Sequence, residues 1–258
     1  MKQTYLRTFI LLFLAFTGKN MFAQFGLPTG FDVKTFAKNE DNAMWFVQYD
    51  SAYMAVAAFD HLSGPQDYIC YQDKKNWKIV VGTLDAEKGF KNEKYYILDA
   101  KRSVSSAMKK FDTLQVQAMG RALYNANTSI SKTTIKAPAG WRKFVKINED
   151  KSITVWEFCD ADGSSIWYGP ECAYYYSADG SSMTTNKVVN KAAMIAGTSG
   201  TTMNLSCPTD KMPTIGAMYV ARKYMLTYNT VNIAYKTGTS TLYYNVSEKT
   251  YSWEHVAN

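Results

Sequence analysis

The apolar residues of this chain change their spacing once in its first half, and that change limits what the chain can fold into. Trp45–Tyr49, Tyr53–Phe59, Tyr68–Tyr71, Trp77–Leu84 and Tyr95–Leu98 are short apolar or alternating runs broken by polar residues such as Asp50-Ser51 and Asp73 to Asn76. Runs of that kind predict strands joined in an antiparallel meander. From Ser103 to Asn127 the interval becomes three and four instead. Val104, Met108, Phe111, Leu114, Ala118 and Ala122 then share one stripe of a helix, with Ser103 as its N-cap. Gly120 inside that helix costs about 1 kcal/mol relative to Ala, and close packing against a sheet is the expected reason for it.

Residues 128–140 are polar and end in Pro138-Ala-Gly140, which marks a linker or domain boundary. Strand patterns then resume. Trp141–Ile147 and Ile153–Cys159 predict a hairpin around Asn148 to Lys151, continued by Ser165–Tyr168, Cys172–Tyr176 and Ser182–Val189. Pro213 opens a second, shorter helix through Met225, and Val231–Tyr235, Thr241–Val246 and Tyr251–Trp253 return to strand. The expected fold is α+β: antiparallel β-meanders with one long helix at about 103–127 and a short one at about 213–225. The expected division is 25–135 and 136–258, as two halves or one continuous domain.

Residues 1–24 carry the features of an export signal. Lys2 and Arg7 precede an apolar run from Phe9 to Phe16, too short to span a bilayer, and Ala23 supplies a small residue for a cut after Ala23 or Gln24. Removing this leader lowers the formal charge from +7 to +4, because Lys2, Arg7 and Lys19 leave without an acid. The remaining basic residues are scattered, so no stripe suited to nucleic acid is present. No later segment is apolar enough to cross a membrane as a helix, so the expected location is periplasmic or extracellular.

Export changes the meaning of the four cysteines, since an oxidising compartment favours pairing. The expected disulfides are Cys159 with Cys172, across a turn-rich connection, and Cys70 with Cys207 by elimination. A zinc site would need ligands gathered from afar, because there is no Cys-x-x-Cys and only two histidines, His61 and His255. No metal and no cofactor is expected; nucleophile-elbow and phosphate-loop patterns are absent from the sequence. Asp160-Ala-Asp162-Gly163-Ser164 begins like a calcium loop with Glu171 in its twelfth position, but Ser165 stands where the sharp-turn glycine belongs. Asp179-Gly180 likewise reads as a turn. The small, polar stretch Gly197 to Thr202 reads as a mobile loop. Asn127, Asn204 and Asn245 fit the glycosylation acceptor pattern, which matters only in an organism that uses it.

Two groups of residues suggest function. Glu157 falls within an apolar strand, where a carboxylate has to be paired or protonated. With Asp160 or Glu171 it could form the acid/base pair of a hydrolase acting on an extracellular polymer. Trp156, Trp167, Tyr168, Tyr174, Tyr175 and Tyr176 crowd one meander. If one sheet face were open, these rings would form a platform for a glycan, a peptide or an envelope protein. The preferred expectation is a binding or interaction module of the cell envelope or exterior, with the hydrolase and a structural or assembly component as alternatives.

Overall fold

The computed structural model describes residues 22–23, 27–62, 67–107, 111–159 and 165–258. In chain order its elements are β1 (Phe22–Ala23), α1 (Val33–Phe59), β2 (Asp67–Asp73), β3 (Asn76–Asp85), β4 (Gly89–Leu98), β5 (Val104–Ser106), α2 (Thr113–Ser131), β6 (Trp141–Ile147), β7 (Ile153–Cys159) and β8 (Trp167–Tyr168). There follow β9 (Glu171–Tyr176), β10 (Met183–Asn190), β11 (Met194–Ile195), β12 (Gly197–Ser199), β13 (Thr202–Cys207), α3 (Ile215–Tyr224), β14 (Thr230–Tyr235), β15 (Gly238–Asn245) and β16 (Thr250–Ala257). The fold is mixed α+β, as the two periodicities predict. The chain divides into two compact units, one of residues 1–38 with 197–258 and one of residues 39–196. The expected boundary at 128–140 falls inside the latter, as the last turn of α2 and its connection to β6. Of the expected leader, only Phe22–Ala23 lies among the described residues.

The unit of residues 39–196 is built from two helix-plus-meander motifs. β2-β3-β4-β5 form one antiparallel sheet and β10-β9-β7-β6 another, and the edge strands β2 and β6 lie beside each other. Alternation sends Tyr68, Cys70, Trp77, Phe144, Trp156 and Phe158 to one side. There α1 covers them: Phe46 packs on Phe144 and Phe158 at 4.7 and 5.1 Å between ring centroids, and Tyr53 stacks on Tyr68 at 3.6 Å. On the opposite side α2 buries Val116, Met119, Leu123 and Ile130 against Ile69, Val80, Val145, Val155 and Tyr174. The sheets are therefore the middle layer of three.

Trp45–Tyr49 and Tyr53–Phe59 are thus helix and not strand. The burial of Phe36, Glu40, Ala43, Phe46, Tyr49, Asp50 and Val56 has helical spacing. Acids at two of those positions conceal the stripe from a count of apolar residues. Asp50 is tolerated there because Arg142 lies 3.5 Å away and the Tyr68 hydroxyl donates to it at 3.5 Å. Asp32, whose carboxylate accepts from the Lys34 and Thr35 amides at 2.9 and 3.2 Å, caps the start of the helix.

The second helix begins later than Ser103. Asp99 takes the Lys101 and Ser103 amides into a turn, Val104–Ser106 pairs with β4, and Asp112 caps α2 by accepting from the Leu114 and Gln115 amides at 3.0 and 3.3 Å. Leu114, expected on the packed stripe, is exposed, and Met108 lies outside the described residues. The reading of Gly120 holds: a Cβ there would meet the Gly89 backbone at 2.7 Å, where α2 crosses the β3–β4 turn.

In the unit of residues 1–38 and 197–258, β1-β16-β15-β14-β13-β12 make one sheet. β13 and β14 run parallel through the crossover helix α3, and β14-β15-β16 are an antiparallel meander. Thr214 caps α3, so this helix starts close to the expected Pro213. Gly197 to Thr202 is a hairpin turning at Gly200, which replaces the expected loop. One sheet face carries Met203, Leu205, Val231, Ile233, Leu242 and Trp253, all buried in the core with Phe36 and α3 residues such as Met218 and Tyr219.

Candidate functional site

Glu157 and Glu171 stand on neighbouring strands but on opposite faces. The ladder pairs Glu157 with Cys172 and Phe158 with Glu171, so Glu157 joins the α2 side and Glu171 the α1 side. A two-carboxylate pair is therefore not assembled from them, and Asp160 lies outside the described residues, as do Asp162 to Ser164. Glu157 is 0% exposed, and among the described residues neither of its oxygens has a hydrogen-bond partner. Burial raises its pKa to about 7, only partly opposed by the Lys143 charge on the adjacent strand. Such a group holds a proton well but has no open path to a polymer chain.

The aromatic platform is closed as well. Tyr168, Tyr174 and Tyr176 are buried, and Tyr174 and Tyr176 belong to the core under α2. Trp156, Trp167 and Tyr175 are half-buried, with Trp156 against Trp45 and Phe46. Both sheet faces are covered, so alternation presents no open row of rings here.

All four cysteines are buried, and neither expected disulfide is formed. Register gives the reason for Cys159 and Cys172: Cys172 lies opposite Glu157, two residues from Cys159. Such diagonal neighbours stand roughly 7–8 Å apart, beyond the usual Cα reach of a disulfide. Burial also pushes the Cys172 thiol up to about 11, with the Glu157 charge as a further cause. Cys70 and Cys207 sit in different units.

The open surface lies in the other unit, on the sheet face opposite its core. Cross-strand partners there form rows: Thr202, Thr230, Tyr243 and Ser252; then Asn204, Asn232, Thr241 and Glu254; then Ser206, Ala234, Thr239 and Val256. Three members of the middle row are hydrogen-bonded in series, Asn232 Nδ2 donating to Asn204 Oδ1 at 2.9 Å and Thr241 Oγ1 to Asn232 Oδ1 at 3.0 Å. Tyr243 donates through its hydroxyl to Glu254 Oε2 at 3.2 Å. Partial burial, that bond and the Glu254 charge together raise the Tyr243 pKa. Tyr243 is nonetheless 42% exposed. The face thus offers amide and hydroxyl groups, one carboxylate and one ring, and its rows contain no Lys or Arg.

Sequence reasoning passed over this surface although a signal was present. Thr202-x-Asn204-x-Ser206, Thr230-x-Asn232-x-Ala234 and Thr239-x-Thr241-x-Tyr243 alternate with buried residues at nearly every intervening position, the pattern of a sheet with one wet face. The setting of His255 is likewise not reported by its local sequence. It is buried, its Nδ1 lies 2.7 Å from Ser240 Oγ, and burial lowers its pKa to about 4. Phe31 and Phe36 pack on its ring at 4.4 and 4.6 Å, which closes this Ser–His pair to substrate. His61 lies in a turn after α1.

Among the described residues no cluster of three or more His, Cys, Asp or Glu could hold a metal ion, and no helix is long and apolar enough to cross a membrane. No family model matches the chain, and neither the curated proteins nor the solved structures contain a match to it.

Proposed function

We propose that this chain is an exported binding module of the cell envelope or exterior, and that its ligand is an uncharged, polyhydroxylated chain of the glycan class. The open face of the C-terminal sheet carries this reading. Its interlocked Asn204–Asn232–Thr241 row holds donors and acceptors in fixed places, so little ordering entropy remains to be lost on binding. Tyr243 beside it supplies a ring face for stacking. The absence of Lys and Arg from those rows disfavours acidic ligands. For export, the support is the leader sequence together with a core that takes in the chain from Pro28 onward, past the expected cut.

Isothermal titration of the chain beginning at Phe25 against soluble neutral polysaccharides tests the reading. Tyr243→Ala is expected to weaken binding by about 1 kcal/mol, roughly fivefold, without loss of fold, because that side chain points away from the core. Equal affinity in this variant and in Asn232→Ala, or binding only to charged polymers, would overturn it. The hydrolase alternative keeps one support, the proton-retaining Glu157, but its burial and the opposed direction of Glu171 place it second.

A further inference from the structure

Sheet edges expose unpaired backbone groups, and proteins commonly protect them with short strands, bulges, lysine or proline. β5 and β12 are three residues each. β10 carries Lys187 and has two register shifts against β9, while β2 and β6 flank each other. β16 has none of these devices. It is eight residues long, pairs with β15 without a shift, and contains no Lys, Arg or Pro. Among the described residues its other edge is occupied only by β1, which runs parallel to it and pairs Phe22 with Trp253 and Ala23 with Glu254.

β1 lies within the leader, so a cut after Ala23 or Gln24 takes the cover off that edge. We propose that leader removal opens β16 to a second copy of this chain, the two β16 strands pairing antiparallel about a twofold axis. This rests on the export reading. Two constraints narrow the register. Buried and exposed faces must match, which forbids a one-residue slip. A register centred on Glu254 would set two carboxylates directly opposite, which is unfavourable. Centring on Trp253 satisfies both: Ser252 meets the partner's Glu254, Tyr251 meets the partner's His255 and Thr250 meets the partner's Val256. The contact is self-complementary, as a closed dimer requires, and it joins the two polar faces into one longer surface.

Sedimentation velocity at micromolar concentrations tests this with the chain beginning at Phe25 and the chain beginning at Met21, which keeps β1. The shorter chain is expected to dimerise and the longer one to remain monomeric. Ser252 is exposed and outside the core, so its variants report on pairing and not on folding. Ser252→Glu sets like charges opposite at two symmetric positions and is expected to raise the dissociation constant about tenfold. Ser252→Lys sets opposite charges there and is expected to keep or tighten the dimer. A monomeric shorter chain, or equal weakening by both variants, overturns the proposal. Intact mass of the native product separates this from the export reading. A retained leader sinks export and, with it, the opening of β16 whatever the shorter chain does, whereas a removed leader with a monomeric product sinks the dimer alone.

Discussion

Glu157→Gln is expected to stabilise this protein at alkaline pH and to leave it nearly unchanged in acid. The folded chain holds the Glu157 proton up to about pH 7, against 4.5 for an ordinary glutamate, because the carboxyl is fully buried. A raised pKa means that the folded state binds the proton more tightly. Its contribution is therefore complete below pH 4.5 and is lost as pH rises through 7. At about 1.4 kcal/mol per unit, the loss amounts to roughly 3 kcal/mol by pH 8. Glutamine has the same shape and cannot ionise, so the variant should gain about that much at pH 8 and almost nothing at pH 4. In a unit of this size the gain raises the melting temperature by roughly 5–10 °C. Tryptophan fluorescence during urea unfolding follows it, since Trp141 and Trp156 lie in the same meander. A carboxylic acid infrared band present in the parent at pH 6 and missing from the variant would identify the titrating group. A variant less stable than the parent at pH 8, or a parent whose stability climbs between pH 5 and 8 through this unit, would refute the reasoning.

The opposite trend is expected in the other unit. His255 stays neutral in the fold, with its pKa lowered from 6.5 to about 4 by burial, so its contribution is complete above pH 6.5 and is lost as pH falls through 4. About 3 kcal/mol is at stake, and His255→Gln should flatten acid unfolding of the C-terminal sheet as followed by hydrogen exchange at β15 and β16. Gly120→Ala should destabilise by about 1–2 kcal/mol in denaturant titration. The gain in helix propensity is near 1 kcal/mol, and the overlap with the Gly89 backbone outweighs it. A neutral or stabilising result would mean that α2 moves away from the β3–β4 turn without penalty.

Much of the architecture was legible because local signals and tertiary packing agree. The hairpin of Trp141–Ile147 with Ile153–Cys159 forms around its expected turn, and the meander of Tyr68 to Leu98 follows its apolar runs. α1 was not legible, because Glu40 and Asp50 occupy its buried stripe and the residues between them read as short strands. Asp50 is accommodated by Arg142, more than ninety positions later in the chain, and no local pattern reports such a partner. The start of α2 is hidden for a related reason. Val104, Met108 and Phe111 keep a helical interval by chance, while Asp99 and Asp112 direct the backbone into a turn and then a cap.

The same contrast explains why the most aromatic meander presents no open row of rings. Aromatic content in a sequence reads as the sign of a binding face, yet Tyr and Trp carry the largest apolar payload and go first to wherever two layers have to be filled. The middle layer between α1 and α2 has two such faces, and it draws in Tyr174, Tyr176 and Phe158. A sheet packed on one side only has to satisfy the other side with groups that water also satisfies. Thr, Asn and Ser at alternate positions are therefore the better sign of an available surface, and in this chain they lie in the strands β13 to β15 and meet Glu254 on β16. Function is more reasonably sought where the sheet was left wet than where it was made most aromatic.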